Sequence, residues 1–280
     1  MERFIITVAC ADTPGIVHAV TEVLVGLGGN IVESQQFTSP DSGTFFLRVE
    51  VDAPCSRDQL EAAMTPVRER FSMELGLHRK ADRVRTLIMC SKDPRTLNEV
   101  LFDHHLGQLN IDVPLVASNH MDLKKHADFY GIDYEHVPIT KDTKANAEAR
   151  LLELIEEHDI ELVILARYMQ ILSDDLAERL AGRVINIHHS FLPAFKGARP
   201  YHQAHARGVK LIGATAHYVT ADLDEGPIIE QNVVRVDHSK SPGELIAIGR
   251  NVEGRTLAQA VRWHADHRVL MDGTRTVVFS

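Results

Sequence analysis

The first eighty residues alternate between strand-like and helix-like patterns of apolar side chains. Four stretches are rich in β-branched and aromatic residues and therefore predict strands: 3–10, 30–38, 44–51 and 73–78. Two stretches instead repeat their apolar residues every three or four positions, which is the period of an amphipathic helix: 16–27 and 56–71. The resulting order of elements is βαββαβ, which predicts a ferredoxin-like domain.

A charged segment at residues 78–83 ends this pattern, and a different one follows it. Five short apolar runs predict strands separated by helical stretches: 84–90, 113–118, 162–166, 184–188 and 211–219. Strands that alternate with helices form mostly parallel sheets with helices on both faces. We therefore expect an α/β protein of two domains, a ferredoxin-like domain at 1–82 and a doubly wound, mostly parallel α/β domain at 83–280.

Composition and charge narrow the class of protein. Of 280 residues, 44% are hydrophobic and 25% are charged, which is typical of a globular protein rather than a disordered or membrane chain. The chain has a formal net charge of −9, whereas proteins that bind nucleic acid usually carry a basic surface. The charge therefore favours a small-molecule partner. The apolar runs are much shorter than the ~20 residues that cross a membrane. We therefore expect no nucleic-acid partner and no membrane partner.

The cysteines and the N-terminus indicate the cellular compartment. Cys10, Cys55 and Cys90 are far apart, odd in number and without a CxxC pair, which disfavours a disulfide framework and a zinc knuckle. The first residues lack the basic and apolar segments of a signal peptide. These features predict a cytoplasmic protein.

Polar side chains with catalytic potential lie near the ends of two predicted strands, where open α/β sheets bind their ligands. Asn186 and His188 alternate along one strand and therefore point to the same side. The next strand carries His217 and leads into an acidic loop with Asp224. An amide, an imidazole and a carboxylate supply an oxyanion donor, a proton carrier and a base for acyl-type chemistry. Each residue alone is more simply explained by a structural hydrogen bond, so the hypothesis depends on the whole set.

Three segments resemble the formyltransferase-fold family that handles 10-formyltetrahydrofolate: NIHHSFLP at 186–193, HYV at 217–219 and DLDEGPII at 222–229. The resemblance implies that Asn186, His188 and Asp224 form the catalytic set. We expect His217 to orient Asp224 through a hydrogen bond, although a satisfied strand histidine is an equally good interpretation of this residue.

The segment LARYMQILS at 165–173 is similar to the loop with which this family binds the pterin ring of folate. The residues that we expect to bind the substrate are Arg167, Met169, Gln170, Ile171, Leu172, Lys196, Gly197, Ala221 and Asp222. Transferases of the family commonly have arginine where this chain has Gln170. The loop around Lys196 either covers the site, meets the glutamate carboxylates of the folate, or is simply solvated.

Residues 12–17, DTPGIV, resemble the turn of ACT regulatory domains, which pair with one another and bind an amino acid at the interface. A Pro-Gly sequence alone is more often a plain helix-starting turn, but the βαββαβ order around it favours the regulatory interpretation. The residues that the resemblance assigns to the amino-acid site are Asp12, Pro14, Gly15, Ile16, Asn30 and Ile31. The resemblance also implies a homodimer or a homotetramer.

The loop after the first strand of the second domain bears on the acceptor of the formyl group. The similar glycinamide ribonucleotide formyltransferases hold a nucleotide phosphate there, with a glycine-rich loop and a helix N-terminus. The corresponding segment here, CSKDPRTLN at 90–98, contains no glycine; Pro94 lacks an N–H group and Asp93 repels a phosphate. Transfer to tRNA would need an additional C-terminal domain and a basic surface. Water is the acceptor that is left.

An ACT unit followed by a formyltransferase-like domain is the arrangement of enzymes that hydrolyse 10-formyltetrahydrofolate to formate and tetrahydrofolate in one-carbon and purine metabolism. We expect such a hydrolase, regulated by an amino acid and without a cofactor other than its folate substrate. Two alternatives stay open: formyl transfer to an amine or sugar-nucleotide acceptor, and a non-catalytic sensor of folate and amino acid. No metal site is expected, because the pairs His202 with His205 and His264 with His267 lack the further ligands of a zinc site.

Overall fold

The computed structural model describes residues 1–192 and 200–280. They form two compact units, the first made of Met1–Arg83 with Asp266–Ser280 and the second of Val84–Ala265. The division after Arg83 falls at the charged segment of the sequence. The second unit ends at Ala265 and not, as expected, at residue 280, because the last residues of the chain belong to the first unit.

The first unit begins with the predicted βαββαβ order. Its elements are β1 (Glu2–Ala11), α1 (Ile16–Gly26), β2 (Asn30–Thr38), β3 (Thr44–Ala53), α2 (Arg57–Phe71) and β4 (Glu74–Arg79). Neighbouring strands are antiparallel, in the order β2-β3-β1-β4. Gly15, whose φ of 97° suits glycine, precedes α1, and Ser56 caps α2 in a capping box with Gln59. Phe4 and Ile6 alternate into the core that the two helices cover.

The second unit contains a seven-stranded sheet. Its elements are β5 (Val84–Cys90), α3 (Pro94–His105), β6 (Ile111–Ser118), α4 (Lys124–Phe129), β7 (Asp133–His136), α5 (Lys144–Glu157), β8 (Leu162–Ala166), α6 (Asp174–Arg179), β9 (Val184–His188), α7 (Pro200–Ala206), β10 (Leu211–Tyr218), β11 (Ile228–Arg235) and α8 (Pro242–Ala265). The strand order is β11-β10-β9-β8-β5-β6-β7. Strands β5 to β9 are parallel, whereas β10 is antiparallel to β9 and to β11.

All five strands predicted for this unit are present, and the sequence pattern does not predict two more, β7 and β11. These two form the edges of the sheet, where most of their side chains are not buried. An edge strand therefore lacks the continuous apolar run that marks a central parallel strand. The winding reverses at β5, which has β6 on one side and β8 on the other, and this reversal is where such sheets bind ligands.

A C-terminal hairpin covers the face of the first sheet that its helices leave open. It consists of β12 (Val269–Asp272) and β13 (Arg275–Val278). Leu270 and Phe279 pack against Phe46 of β3, whose side chain is fully buried. Arg48 on the same face of β3 is also fully buried and donates to the main-chain carbonyl of Asp266 at 3.1 Å. Because β3 is buried on both faces, the sheet needs this second cover, which explains why the end of the chain joins the first unit.

Candidate active site

A pocket of about 280 Å³ in the second unit brings together the predicted catalytic and folate-binding side chains. Every one of them that the structure describes lines this pocket: Arg167, Met169, Gln170, Ile171, Leu172, Asn186, His188, His217, Ala221, Asp222 and Asp224. Lys196 and Gly197 lie outside the described residues. The segment 167–172 directly follows β8, and Asn186 and His188 belong to β9, so two adjacent strands position much of the set.

Asp224 and His188 are in direct contact in this pocket. The Nδ1 atom of His188 lies 3.2 Å from Oδ1 of Asp224, and both side chains are largely buried. The hydrogen bond from His188 holds the pKa of the Asp224 carboxyl well below its usual range. Asp224 is therefore an ionised acceptor, which places the proton of a neutral His188 on Nδ1. The other ring nitrogen, Nε2, is buried without a hydrogen-bond partner in the part of the chain described, so it is available to a ligand.

His217 positions Asn186 more directly than it positions Asp224. Its Nδ1 lies 2.8 Å from the main-chain carbonyl of Tyr218, which can only accept, so the proton is on Nδ1. Its Nε2 then accepts from Nδ2 of Asn186 at 3.3 Å. The distance from Nε2 to Oδ1 of Asp224 is 3.7 Å, which is too long for the expected hydrogen bond. The Asn186 amide consequently keeps its second N–H for a ligand.

The loop that carries Asp224 depends on a glycine at residue 226. The N–H of Tyr218 donates to the carbonyl of Pro227 at 2.9 Å, which folds the loop tightly back toward β10. A Cβ atom at Gly226 would overlap the carbonyl oxygen of Tyr218. Asp224 itself has a φ of 57°, a left-handed conformation that aspartate adopts more readily than most residues. The local backbone is thus built to present the Asp224 carboxylate.

The segment 167–172 is held by a hydrogen bond to a buried serine and exposes apolar side chains. The N–H of Met169 donates to Oγ of Ser91 at 3.1 Å, and Ser91 donates to Oδ1 of Asn119 at 2.7 Å. The side chains of Met169 and Ile171 are 61% and 63% exposed. Large apolar side chains exposed at a pocket suit a flat, partly apolar ligand.

Arg167 lines the pocket, but carboxylates of the protein engage its guanidinium group. It forms an ion pair with buried Glu253 and lies 3.6 Å from Oδ2 of Asp93. The hydroxyl of Tyr201 donates to the other Glu253 oxygen at 2.6 Å. The backbone of Arg167 is left-handed, with a φ of 58°. The contacts of its side chain hold the loop, and substrate binding by Arg167 stays a prediction.

His189 also lines the pocket, which the sequence pattern does not predict. Its ring stacks on that of His188, with centroids 4.7 Å apart. Burial, assisted by neighbouring His188, lowers the pKa of His189 to about 4, so the ring is neutral near pH 7. Adjacent residues of a strand point to opposite faces, which hides such a contact from sequence reasoning. The stacking arises because β9 ends at His188.

The residues predicted for the amino-acid site lie at opposite ends of the first sheet. The turn at 12–16 follows β1, whose Cys10 pairs with Phe45 at the beginning of β3. Asn30 begins β2 and pairs with Asp52 near the end of β3. Phe45 and Asp52 are seven positions apart on an extended strand, a separation of roughly 24 Å. One chain therefore does not bring the two halves of the predicted site together.

Two of the four histidines considered as metal ligands, His264 and His267, have other partners. Nδ1 of His264 is hydrogen-bonded to the hydroxyl of Tyr218 at 2.7 Å, and His267 stacks on His78 with centroids 3.5 Å apart. Within residues 1–192 and 200–280, no three His, Cys, Asp or Glu side chains are grouped as a metal site requires. In the same ranges, no helix has both the length and the apolar character needed to cross a membrane.

Fold and pocket together define an enzyme domain of the formyltransferase type joined to an ACT domain. The sequence profile described as formyl transferase matches residues 84–261, and the ACT domain profile matches residues 4–64. The formyltetrahydrofolate deformylase of Corynebacterium sp. (strain P-1) is 51% identical over 279 residues, which are 99% of this chain and 98% of the relative. The chain belongs to the formyltetrahydrofolate deformylase family.

Two solved structures, one of a deformylase and one of a transferase, are similar to this chain to different degrees. The formyltetrahydrofolate deformylase of Burkholderia mallei ATCC 23344 is 49% identical, with a TM-score of 0.97 and a match that covers 100% of both chains. Glycinamide ribonucleotide transformylase 1 of Symbiobacterium toebii is 29% identical, with a TM-score of 0.67, and the match covers 73% of this chain and 98% of that one. The transferase thus shares much of the fold but not the whole two-unit chain.

Proposed function

We propose that this protein hydrolyses 10-formyltetrahydrofolate to formate and tetrahydrofolate, with Asn186, His188 and Asp224 as its catalytic residues. The observation that carries the proposal is the contact between ionised Asp224 and Nδ1 of His188, which leaves Nε2 of His188 unpartnered among the described residues of the pocket. Similarity to formyltetrahydrofolate deformylases over nearly the full chain supports the substrate and the reaction.

In the proposed mechanism His188 acts first as a base and then as an acid. Its Nε2 removes a proton from water as the water oxygen bonds to the formyl carbon and the carbonyl electrons move onto the formyl oxygen. Asp224 stabilises the imidazolium that forms, and the free N–H of Asn186 donates to the oxyanion. The imidazolium then gives its proton to N10 as the carbon–nitrogen bond breaks. Tetrahydrofolate leaves with that proton, and formic acid ionises to formate.

We further propose that an amino acid regulates the enzyme by binding to the ACT domains of two or more chains. The ACT domain supports an amino-acid effector. The separation of residues 12–16 from Asn30 supports a site shared between copies, and hence a homodimer or homotetramer. The free state of Cys10, Cys55 and Cys90 supports a cytoplasmic location.

The decisive experiment incubates the purified protein with 10-formyltetrahydrofolate, without an added acceptor, and measures formate and tetrahydrofolate. Equal amounts of the two products are expected, at a rate that an added amine does not raise. Candidate amino acids are then titrated into the same assay, where at least one is expected to change the rate. Folate binding without turnover would indicate a sensor, and turnover that requires an amine would indicate a transferase; either result contradicts the proposal.

Gly226→Ala is expected to lower kcat by roughly 10- to 100-fold, because a Cβ at this position displaces the Asp224 loop and a displacement of about 1 Å costs up to ~10² in rate. Steady-state hydrolysis gives kcat, and thermal unfolding shows that the variant is folded. Gly243→Ala is the matched control, since its Cβ would have its nearest neighbour, Oγ of Ser241, at 4.0 Å. A wild-type kcat in Gly226→Ala would show that the close approach to Tyr218 is dispensable.

A further inference from the structure

A second cavity, of about 460 Å³, shares part of its wall with the candidate active site. Arg167, Met169 and Gln170 line both volumes, so the cavity lies directly across the folate-binding segment from the pocket. Asp93 and Arg250 add charge to its wall. A volume of this size accommodates a small organic molecule. Hydrolysis needs only a water molecule as the acceptor, so the proposed reaction leaves this cavity without a use.

Asp93 places a carboxylate against the positive charges of this cavity. Its Oδ1 accepts the N–H of Arg95 at 3.1 Å and so caps α3. Its Oδ2 lies 2.8 Å from Nε of Arg250 and 3.6 Å from Nε of Arg167, and the side chain is only 11% exposed. Among the described residues neither arginine aligns an N–H for a hydrogen bond to Oδ2, which is buried without such a partner. The oxygen is thus paired through charge alone.

The surroundings of Asp93 are those of an anion site. Two guanidinium groups and a helix N-terminus all favour a negative charge at this place. Asp93 supplies that charge from within the chain. A second anion that entered the cavity would meet the Asp93 carboxylate, and it would find Arg250 already paired with Asp93 and Arg167 already paired with Glu253.

We propose that Asp93 determines the acceptor of the formyl group: its carboxylate occupies the anion position of the cavity, excludes amines that carry a phosphate, and thereby leaves water as the nucleophile. This inference rests on the proposed function, because it concerns the acceptor of the same reaction. With either acceptor, the bond from the formyl carbon to N10 breaks and N10 takes up a proton. Water forms a new carbon–oxygen bond, whereas an amine would form a new carbon–nitrogen bond and lose a proton.

Binding of inorganic phosphate to the full-length chain, measured by isothermal titration calorimetry at constant ionic strength, tests the proposal. Asp93→Asn removes the charge, keeps the size of the side chain and retains a good helix cap. We expect this variant to bind phosphate roughly tenfold or more tightly than the wild type, because the charge of Arg250 is no longer balanced. The added substitution Arg250→Gln is expected to reverse the gain.

A matched control removes a carboxylate from α3, the helix that Asp93 caps. Asp103 pairs with Arg262 at 3.5 Å and does not line the cavity, so Asp103→Asn is expected to bind phosphate as weakly as the wild type. Inhibition of hydrolysis by 2-aminoethyl phosphate connects the site to the acceptor. This amine is expected to inhibit Asp93→Asn at concentrations roughly tenfold or more below those that inhibit the wild type.

Unchanged phosphate affinity in folded Asp93→Asn overturns the proposal, as does an equal gain in Asp103→Asn. If Asp93→Asn does not fold, Asp93→Ser enters the same measurements, because serine also caps helices well. Calorimetry measures phosphate binding without turnover, so it tests the role of Asp93 independently of the proposed function. Absence of formate release from the wild type contradicts the proposed function, whereas unchanged phosphate affinity contradicts the role of Asp93.

Discussion

Asp224→Asn is expected to lower kcat for 10-formyltetrahydrofolate hydrolysis by roughly 10³- to 10⁴-fold, by analogy with the loss of about 10⁴ when the aspartate of a Ser-His-Asp triad becomes asparagine. Asparagine has the size of aspartate but cannot supply the negative charge that stabilises the His188 imidazolium. Its amide N–H groups also favour the wrong proton position on the ring. Because the Asp224 contact with His188 Nδ1 is 3.2 Å long, the substitution acts directly on the proton carrier.

The pH dependence of this variant has a defined sign. In the folded wild type the pKa of Asp224 is well below its usual range, so the carboxylate is ionised above that lowered pKa. Its contribution to stability is likewise present above the unfolded pKa of about 3.9 and is lost as the pH falls through the folded pKa. The ratio of wild-type to variant kcat should therefore stay large between about pH 5 and 9.

Asp237→Asn serves as the control for Asp224→Asn, since Asp237 is an exposed aspartate whose carboxylate accepts from Ser239 in its local turn. It is expected to keep the wild-type kcat. Tetrahydrofolate binding, measured by calorimetry, should be retained in Asp224→Asn, because the proposed folate-binding segment 167–172 is unchanged. A kcat ratio near one at mildly acidic pH would contradict an ionised Asp224 in the mechanism.

Asn186→Ala is expected to lower kcat by roughly 10²- to 10³-fold, because loss of one oxyanion donor costs about 2.7 to 4 kcal/mol of barrier. The substitution removes the N–H that is free for the oxyanion and also the one that His217 accepts at 3.3 Å. Steady-state kinetics should show the loss in kcat rather than in KM, since the oxyanion forms only during the reaction.

The role of His217 is tested by combining His217→Ala with Asn186→Ala. If His217 acts by orienting the Asn186 amide, His217→Ala lowers kcat in the wild type but has little further effect in Asn186→Ala. Asn232→Ala on the exposed side of β11 is the matched control for loss of an amide and should leave kcat unchanged. Full additivity of the two losses would show that His217 acts independently of Asn186, and an unchanged kcat in Asn186→Ala would remove this residue from the mechanism.

The sequence predicts the parts of the fold that local periodicity encodes. Alternation and helical spacing identify the βαββαβ order and the five inner strands, and the spacing of Asn186 and His188 correctly places both on one strand. Edge strands β7 and β11 escape prediction because few of their side chains are buried. Local patterns also fail where two distant segments complete one structure, as when the C-terminal hairpin covers β3.

The candidate site shows the same limit at the level of single side chains. The side chain of Arg167 pairs with Glu253 on α8, which lies 86 positions further along the chain. No short-range pattern connects the two. The sequence also suggests that Asp93 repels a phosphate. Its pairing with Arg250, by contrast, becomes visible only in the structure.

The return of Asp266–Ser280 to the first unit has a consequence for the order of events during synthesis. The first unit is discontinuous, with the whole of Val84–Ala265 inserted between its two parts. Proteins fold domain by domain as they emerge from the ribosome. Here the enzymatic unit can complete its core while one face of the earlier sheet, with Phe46 and Arg48, still awaits its cover. The residues that cover Phe46 and Arg48 are thus synthesised only after the whole of the second unit.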